Sequence, residues 1–148
     1  MKINARDWIF EASADPAATT PVWAQVGGLT SFDINHGEGE ESTDTTDFDS
    51  NGHAESQAMQ RGASCSLEGQ EKRNGEAVDP GQAVVNDAAT LVGEDSLVGF
   101  RFRHKDDTDW TVWTAWFSRG GAGGGNNDKV SWSATATRSG AATTAAVA

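Results

Sequence analysis

Short stretches in which apolar and polar residues alternate recur along the chain, and they limit its fold more than any other feature. In "SLVGFRFRH" (96–104), Val98, Phe100 and Phe102 alternate with Arg101 and Arg103. In "QAMQRGASCSLEGQ" (57–70), Ala63, Cys65 and Leu67 alternate with Ser64, Ser66 and Glu68. "KVSWSATAT" (129–137) repeats the pattern. A period of two puts one set of side chains on each face of a strand. "RDWIFE" (6–11) is short, aromatic and β-branched, and fits a strand too. "PVWAQVGGLTSFDI" (21–34) carries Val22, Trp23, Val26, Leu29, Phe32 and Ile34, with Gly27–Gly28 marking a bulge or hairpin turn. In "DWTVWTAWFS" (109–118) a Trp recurs every third residue, but Thr111, Val112, Thr114 and the shortness of the run favour a strand.

One segment has helical character. In "DPGQAVVNDAATLVGED" (79–95), Asp79 is a good N-cap, Pro80 suits the first helical position, and Gln82 completes a capping box. Val84, Val85, Ala88, Leu91 and Val92 fall on one face, so the spacing predicts a helix over about 80–93 that docks through Val84, Val85, Ala88 and Leu91. Gly93 ends it in a left-handed conformation. About six or seven strands and one helix imply antiparallel sheets with one face in a core: a mainly β sandwich or barrel with one flanking helix.

At 148 residues the chain fits a single domain, here 1–140, followed by a low-complexity C-terminal tail (141–148) expected to be mobile. Its 36% hydrophobic content is modest, and six Trp and six Phe offset it. Trp8, Trp23, Trp113 and Trp132 are the candidate core tryptophans. The net charge of −11 is the wrong sign for a free-standing nucleic-acid binder, since phosphate neutralisation supplies most of that affinity. A lone Cys65 gives neither a disulfide framework nor a cysteine zinc site. No run approaches the roughly 20 apolar residues of a membrane span. "MKINARDWIFEASADP" lacks the pattern of a secretion signal, so synthesis and folding in a cytoplasm are expected.

The segment 36–56 is long, acidic and without periodicity, and a loop of that length in a compact domain is usually functional or disordered. Within it, "DTTDFDSNGHAE" (44–55) places Asp47, Asp49 and Asn51 at alternate positions before Gly52, the first half of a calcium loop. The twelfth position from Asp47 is Ala58, where a bidentate Glu is required, so a solvated turn is the better reading and no metal or other cofactor is expected. "GGAGGGNND" leads into a strand with no following Gly-Lys, unlike a phosphate loop. His36, His53 and His104 show no ligand spacing, and no catalytic grouping emerges, so an enzyme is not expected.

Taken in order, "VWAQVGGLTSFD" (22–33), "DTTDFDSNGHAE" (44–55), "RGASCSLEG" (61–69), "DPGQAVVNDAATLVG" (79–93) and "GGGNNDKVSWSATATRSG" (123–140) resemble the major tail tube protein of long-tailed bacteriophages. The resemblance covers most of the chain. It implies six subunits in a ring, rings stacked into a hollow tube, and DNA passing through without specific binding. Tape measure, tail terminator and tail tip proteins are the implied partners, and the virion tail the implied location. The family's loop between its second and third strands reaches neighbouring subunits. Here that loop is 36–56, with Asp44, Thr46, Asp47, Phe48, Asp49 and Asn51 as candidate contacts and Phe48 as the anchor. Arg61, Arg119 and Arg138 are candidate partners for its acids. Two other classes stay open: a carbohydrate- or surface-binding β-sandwich using exposed Trp, and a calcium-stabilised structural domain.

Overall fold

The computed structural model describes residues 1–147. Its strands are β1 (Trp8–Ser13), β2 (Ala24–Gln25), β3 (Leu29–Asn35), β4 (Glu41–Asp44), β5 (Ser56–Gln60), β6 (Ser64–Gln70), β7 (Arg73–Asn74), β8 (Ala77–Val78), β9 (Val98–His104), β10 (Asp109–Arg119), β11 (Ser131–Arg138) and β12 (Thr143–Ala146). A single α-helix among the described residues, α1 (Pro80–Ala88), lies between β8 and β9. The main sheet is antiparallel and runs β2-β1-β9-β10-β11-β6-β3, with β12 continuing the β11 side of β10. β4–β5 and β7–β8 are separate hairpins. The expected mainly β architecture with one flanking helix is the observed one.

The alternating residues explain the core. Val98, Phe100 and Phe102 of β9, Trp113, Ala115 and Phe117 of β10, and Cys65 and Leu67 of β6 all point inward and are buried. The sheet curls until its two ends face each other: the Phe32 ring of β3 lies 4.9 Å from that of Phe10 and 5.5 Å from that of Trp8, both on β1. Trp113 and Trp132 are buried as expected, and Trp8 is half-buried against the core. Trp23 is not a core residue. It lies on the outer face over Gly99, where any side chain would collide with its ring, and under the Arg101 guanidinium at 4.3 Å.

β2 and β3 are neighbours in sequence but opposite ends of the sheet, so Val26–Gly28 crosses the seam. The start of α1 holds that crossing. Asp79 Oδ2 accepts from Gly27 N at 3.0 Å and from Gln82 N at 3.3 Å. Gln82 is fully buried; its Nε2 donates to Gly27 O at 2.8 Å and Gln70 O at 2.9 Å, and its Oε1 accepts from Lys72 N at 3.1 Å. The expected capping box is therefore half formed. Asp79 caps the helix, whereas the Gln82 side chain turns inward to satisfy partly buried backbone groups.

The helix is shorter than its apolar spacing implies. It stops at Ala88, because Thr90 bonds back to Asp87 O through both its N–H and its hydroxyl, tightening the last turn. Gly93, at φ +69°, opens a separate 3₁₀ turn rather than capping α1. Val85 and Ala88 are buried and Val84 is half-buried, but Leu91 is 47% exposed and does not dock. The C-terminal residues also differ from expectation: Thr143–Ala146 pair with Asp109–Val112 as β12, while Ala148 lies outside the described residues. Gln82→Ala should cost about 2–4 kcal/mol in a denaturant titration, since it empties a fully buried site and removes the partner of three partly buried backbone groups. Leu91→Ala should cost less than about 0.5 kcal/mol in the same titration.

Candidate assembly surface

Residues 36–56 do not form a structureless loop. With Gln57–Gln60 they build a β-hairpin arm, β4 paired with β5 from Asp44↔Ser56 to Glu41↔Gln60, with a bulge between Glu41 and Ser42. Its strands were invisible to periodicity because neither alternates apolar with polar residues and no residue of either strand is buried. A lone two-stranded hairpin is marginal in water. Here the base is fastened to the body. Asn35 of β3 donates through Nδ2 to Glu38 Oε2 at 3.1 Å and accepts from Gly37 N at 3.0 Å, any side chain at Gly62 would collide with the Glu38 carbonyl, and within the arm Gln60 Nε2 closes the base on Gly39 O at 2.7 Å.

The tip is ordered by its own side chains. Thr46 Oγ1 lies 3.1 Å from Glu55 O and accepts from Glu55 N at 2.8 Å, while Thr46 N donates to Asp44 Oδ1 at 2.8 Å. The Thr46 hydroxyl and then the Thr46 N–H hold the Asp44 carboxyl below its ordinary value of 3.8. Asp47 caps the 3₁₀ turn Phe48–Ser50: its Oδ1 accepts from Ser50 N and Ser50 Oγ, and Ser50 Oγ accepts from Asp47 N, all at 3.1 Å. Asn51 follows in the left-handed region at φ 52° and Gly52 at 82°. The spacing that resembles a calcium loop is thus a capped turn, in which Asp44 and Asp47 accept hydrogen bonds from the backbone. Ala58, at the position the calcium motif needs for Glu, sits in β5. No group of three or more His, Cys, Asp or Glu is placed to hold a metal ion among the described residues.

This turn projects Phe48 into solvent, with a relative exposure of 102%. Asp47 and Asp49 flank it in sequence. Of the three arginines considered for these acids, Arg61 pairs with Glu40 of its own arm at 3.2 Å, and Arg138 is half-buried, 5.9 Å from the Trp113 ring centre. Arg119 is exposed at the end of β10. A second exposed element is the sheet edge. Among the described residues β3 pairs only with β6, and β2 covers just Glu11 and Ala12 of β1.

The outer face of β9 and β10 carries an arrangement that spacing did not reveal. The Arg101 guanidinium is 4.3 Å from the Trp23 ring centre and 4.2 Å from that of Trp110, and Arg103 is 4.9 Å from Trp110. Arg101 Nη2 also donates to Glu11 Oε1 at 2.7 Å. Both rings thus carry a guanidinium as a stacking partner. The only signal in sequence was Arg at 101 and 103 beside a Trp-rich strand.

The whole fold has solved counterparts. The chain is similar to one in the virion of a native gene transfer agent particle, with a TM-score of 0.68 and 17% identity over 98% of this chain and 100% of that one. It is similar also to a chain in the tail of an empty gene transfer agent particle with C6 symmetry, with a TM-score of 0.67 and 19% identity over the same shares. At these identities the likeness is one of fold. No protein-family model and no curated protein matches the chain.

The Asp44 carboxyl offers a check on the arm. A lowered folded pKa means that its bonds to Thr46 contribute above the unfolded value near 3.8 and are lost as pH falls through the lower folded value. In an NMR titration the Asp44 midpoint should lie below 3.8, and Thr46→Val should move it upward.

Proposed function

We propose that this chain is a structural tail protein of a phage-like particle, and specifically a major tail tube subunit. Six copies form a ring, and stacked rings form a hollow conduit for DNA delivery. Fold alone does not decide function. The observation that carries the reading is the arm, a fastened hairpin with nothing buried on either face, on a fold that a chain of a C6-symmetric tail shares from end to end. An element that orders its backbone while burying only Ser50 in its own subunit is accounted for by a surface on another. The open edges of β3 and β1 support the same reading, because pairing edges around a closed ring removes them. The tape measure, tail terminator and tail tip partners follow from the family resemblance, as does a place in the virion tail.

The charge suits a conduit. With six subunits, as in the C6 tail, a ring carries 6 × −11 = −66. Arg101 is tied to Glu11 and stacked on tryptophan rather than held out to phosphate. Cations lining the bore would bind DNA and brake its passage, so inward-facing positions are expected to be mostly acidic or neutral polar. A sugar-binding reading wants open aromatic faces, and Trp23 and Trp110 have theirs against Arg101; Trp116, at 43% exposure, stands apart from them.

Negative-stain microscopy of the purified protein tests the proposal: tubes or six-fold rings are expected, and a preparation that stays monomeric at all concentrations contradicts it. Phe48→Ala, or removal of residues 40–52, should leave a cooperatively folding subunit that makes no tubes. Assembled tubes should show no measurable DNA affinity at moderate salt, and tight salt-sensitive binding would count against the conduit.

A further inference from the structure

The curl of the sheet leaves a cleft of about 330 Å³ where β1 and β3 face each other without pairing. Trp8, Phe10, Leu29 and Phe32 line it, with Ala5 and Arg6 from the preceding 3₁₀ turn at its lip. That volume is at the lower end of ligand pockets, which start at roughly 300 Å³, and is ample for one phenyl ring. Three aromatic rings in the wall can meet a fourth edge-on or offset, the arrangements their quadrupoles favour.

We propose that this cleft is the socket for Phe48 of a second copy of the chain. Phe48 is a fully exposed aromatic on a tip whose backbone is already fixed by Asp47 and Ser50, so little ordering remains to be done on binding. Its full exposure shows that it does not occupy the cleft of its own chain. Charge agrees with the fit. Residues 36–56 hold Glu38, Glu40, Glu41, Asp44, Asp47, Asp49 and Glu55 with no Lys or Arg, and Asp47 and Asp49 bracket the ring. The socket presents Arg6, which is exposed and makes no ion pair among the described residues, with Lys2 exposed in the same N-terminal segment. Phe48 and the cleft are different patches of one surface. The contact is therefore heterologous: each copy offers one arm and one socket, and the association closes into a ring or grows along a stack. This rests on the self-assembly proposed above and adds to it the surface that receives the arm.

The test leaves Phe48 in place. A chain carrying Arg6→Cys and Asp49→Cys is assembled under reducing conditions and then oxidised. Cys65, the natural cysteine, is buried with its thiol pushed up to about 12 by desolvation, and stays out of the reaction. The expected result is a ladder of disulfide-linked multimers on a non-reducing gel, collapsed by reductant and absent from either single variant. Tubes that form without a ladder overturn the socket while leaving the tube subunit standing. A cross-link confined within one chain, or one that maps to another segment, also overturns it. If the wild-type protein makes no tubes at all, both proposals fall. A charge exchange decides the case where the double-cysteine chain does not assemble. Arg6→Glu should raise the concentration needed for assembly about five-fold, the scale of one exposed ion pair. Adding Asp49→Arg to the same chain should restore it, and no restoration would contradict the socket.

Discussion

The hydrogen bonds of Asp79 and Gln82 hold the seam on which the rest of the structure depends. A sheet ordered β2-β1-β9-β10-β11-β6-β3 has its first and last strands joined by three residues, so it must curl. Curling drives Phe10, Phe32, Phe100 and Trp113 into one core, but it also buries backbone polar groups where the chain crosses from β2 to β3. The first turn of α1 answers them: Asp79 takes the Gly27 N–H, and Gln82 takes the carbonyls of Gly27 and Gln70 and the N–H of Lys72. Hydrophobic burial supplies the driving force, and these polar contacts determine where the curl stops. Because β1 and β3 meet there through side chains rather than a ladder, a cleft remains between them.

What the sequence disclosed follows from the range of the interactions involved. The inward faces of β6 and β9 were legible because one side of each strand is buried, which imposes a period of two on Cys65 and Leu67 and on Phe100 and Phe102; β10 was legible as a strand from Thr111, Val112 and Thr114, but its inward face, Trp113, Ala115 and Phe117, was masked by a Trp at every third position. The start of α1 was legible because capping is local. Its end was not: Leu91 and Val92 continue the apolar pattern, yet Thr90 tightens the turn and both residues face water. The arm strands gave no signal, since a hairpin that packs on nothing needs no alternation. Thr143–Ala146 are too small and uniform to announce a strand; the edge of β10 beyond β11 recruits them. Trp23 looks like a core residue in sequence, and only the fold brings Arg101 between it and Trp110. Of the candidate site, the position of Phe48 and the turn around it could be read in advance, because Asp47 and Ser50 cap it locally. The cleft could not, because it joins residues 5–10 to residues 29–32 through the curl.

Body and arm divide the work. The body is stabilised within one chain. The arm has its own hydrogen bonds but, Ser50 apart, no buried residue, and local stability in a protein follows burial and packing. Such an element is ordered enough to bind with little entropic cost and exposed enough to need a partner. Its acidity has a second consequence. Copies with like-charged arms repel one another unless the arm meets a cation, so the proposed socket, with Arg6 beside it, would discriminate productive contacts from random ones.

The most direct measurement is amide hydrogen exchange on the isolated subunit and on the assembled protein. In the isolated subunit Glu41–Gln60 is expected to exchange well before β6, β9 and β10, because its ladder packs on no core, and assembly is expected to slow exchange in the arm and along the free edges of β1 and β3. An arm as strongly protected in the monomer as β6, β9 and β10, or one whose exchange assembly leaves unchanged, would contradict this.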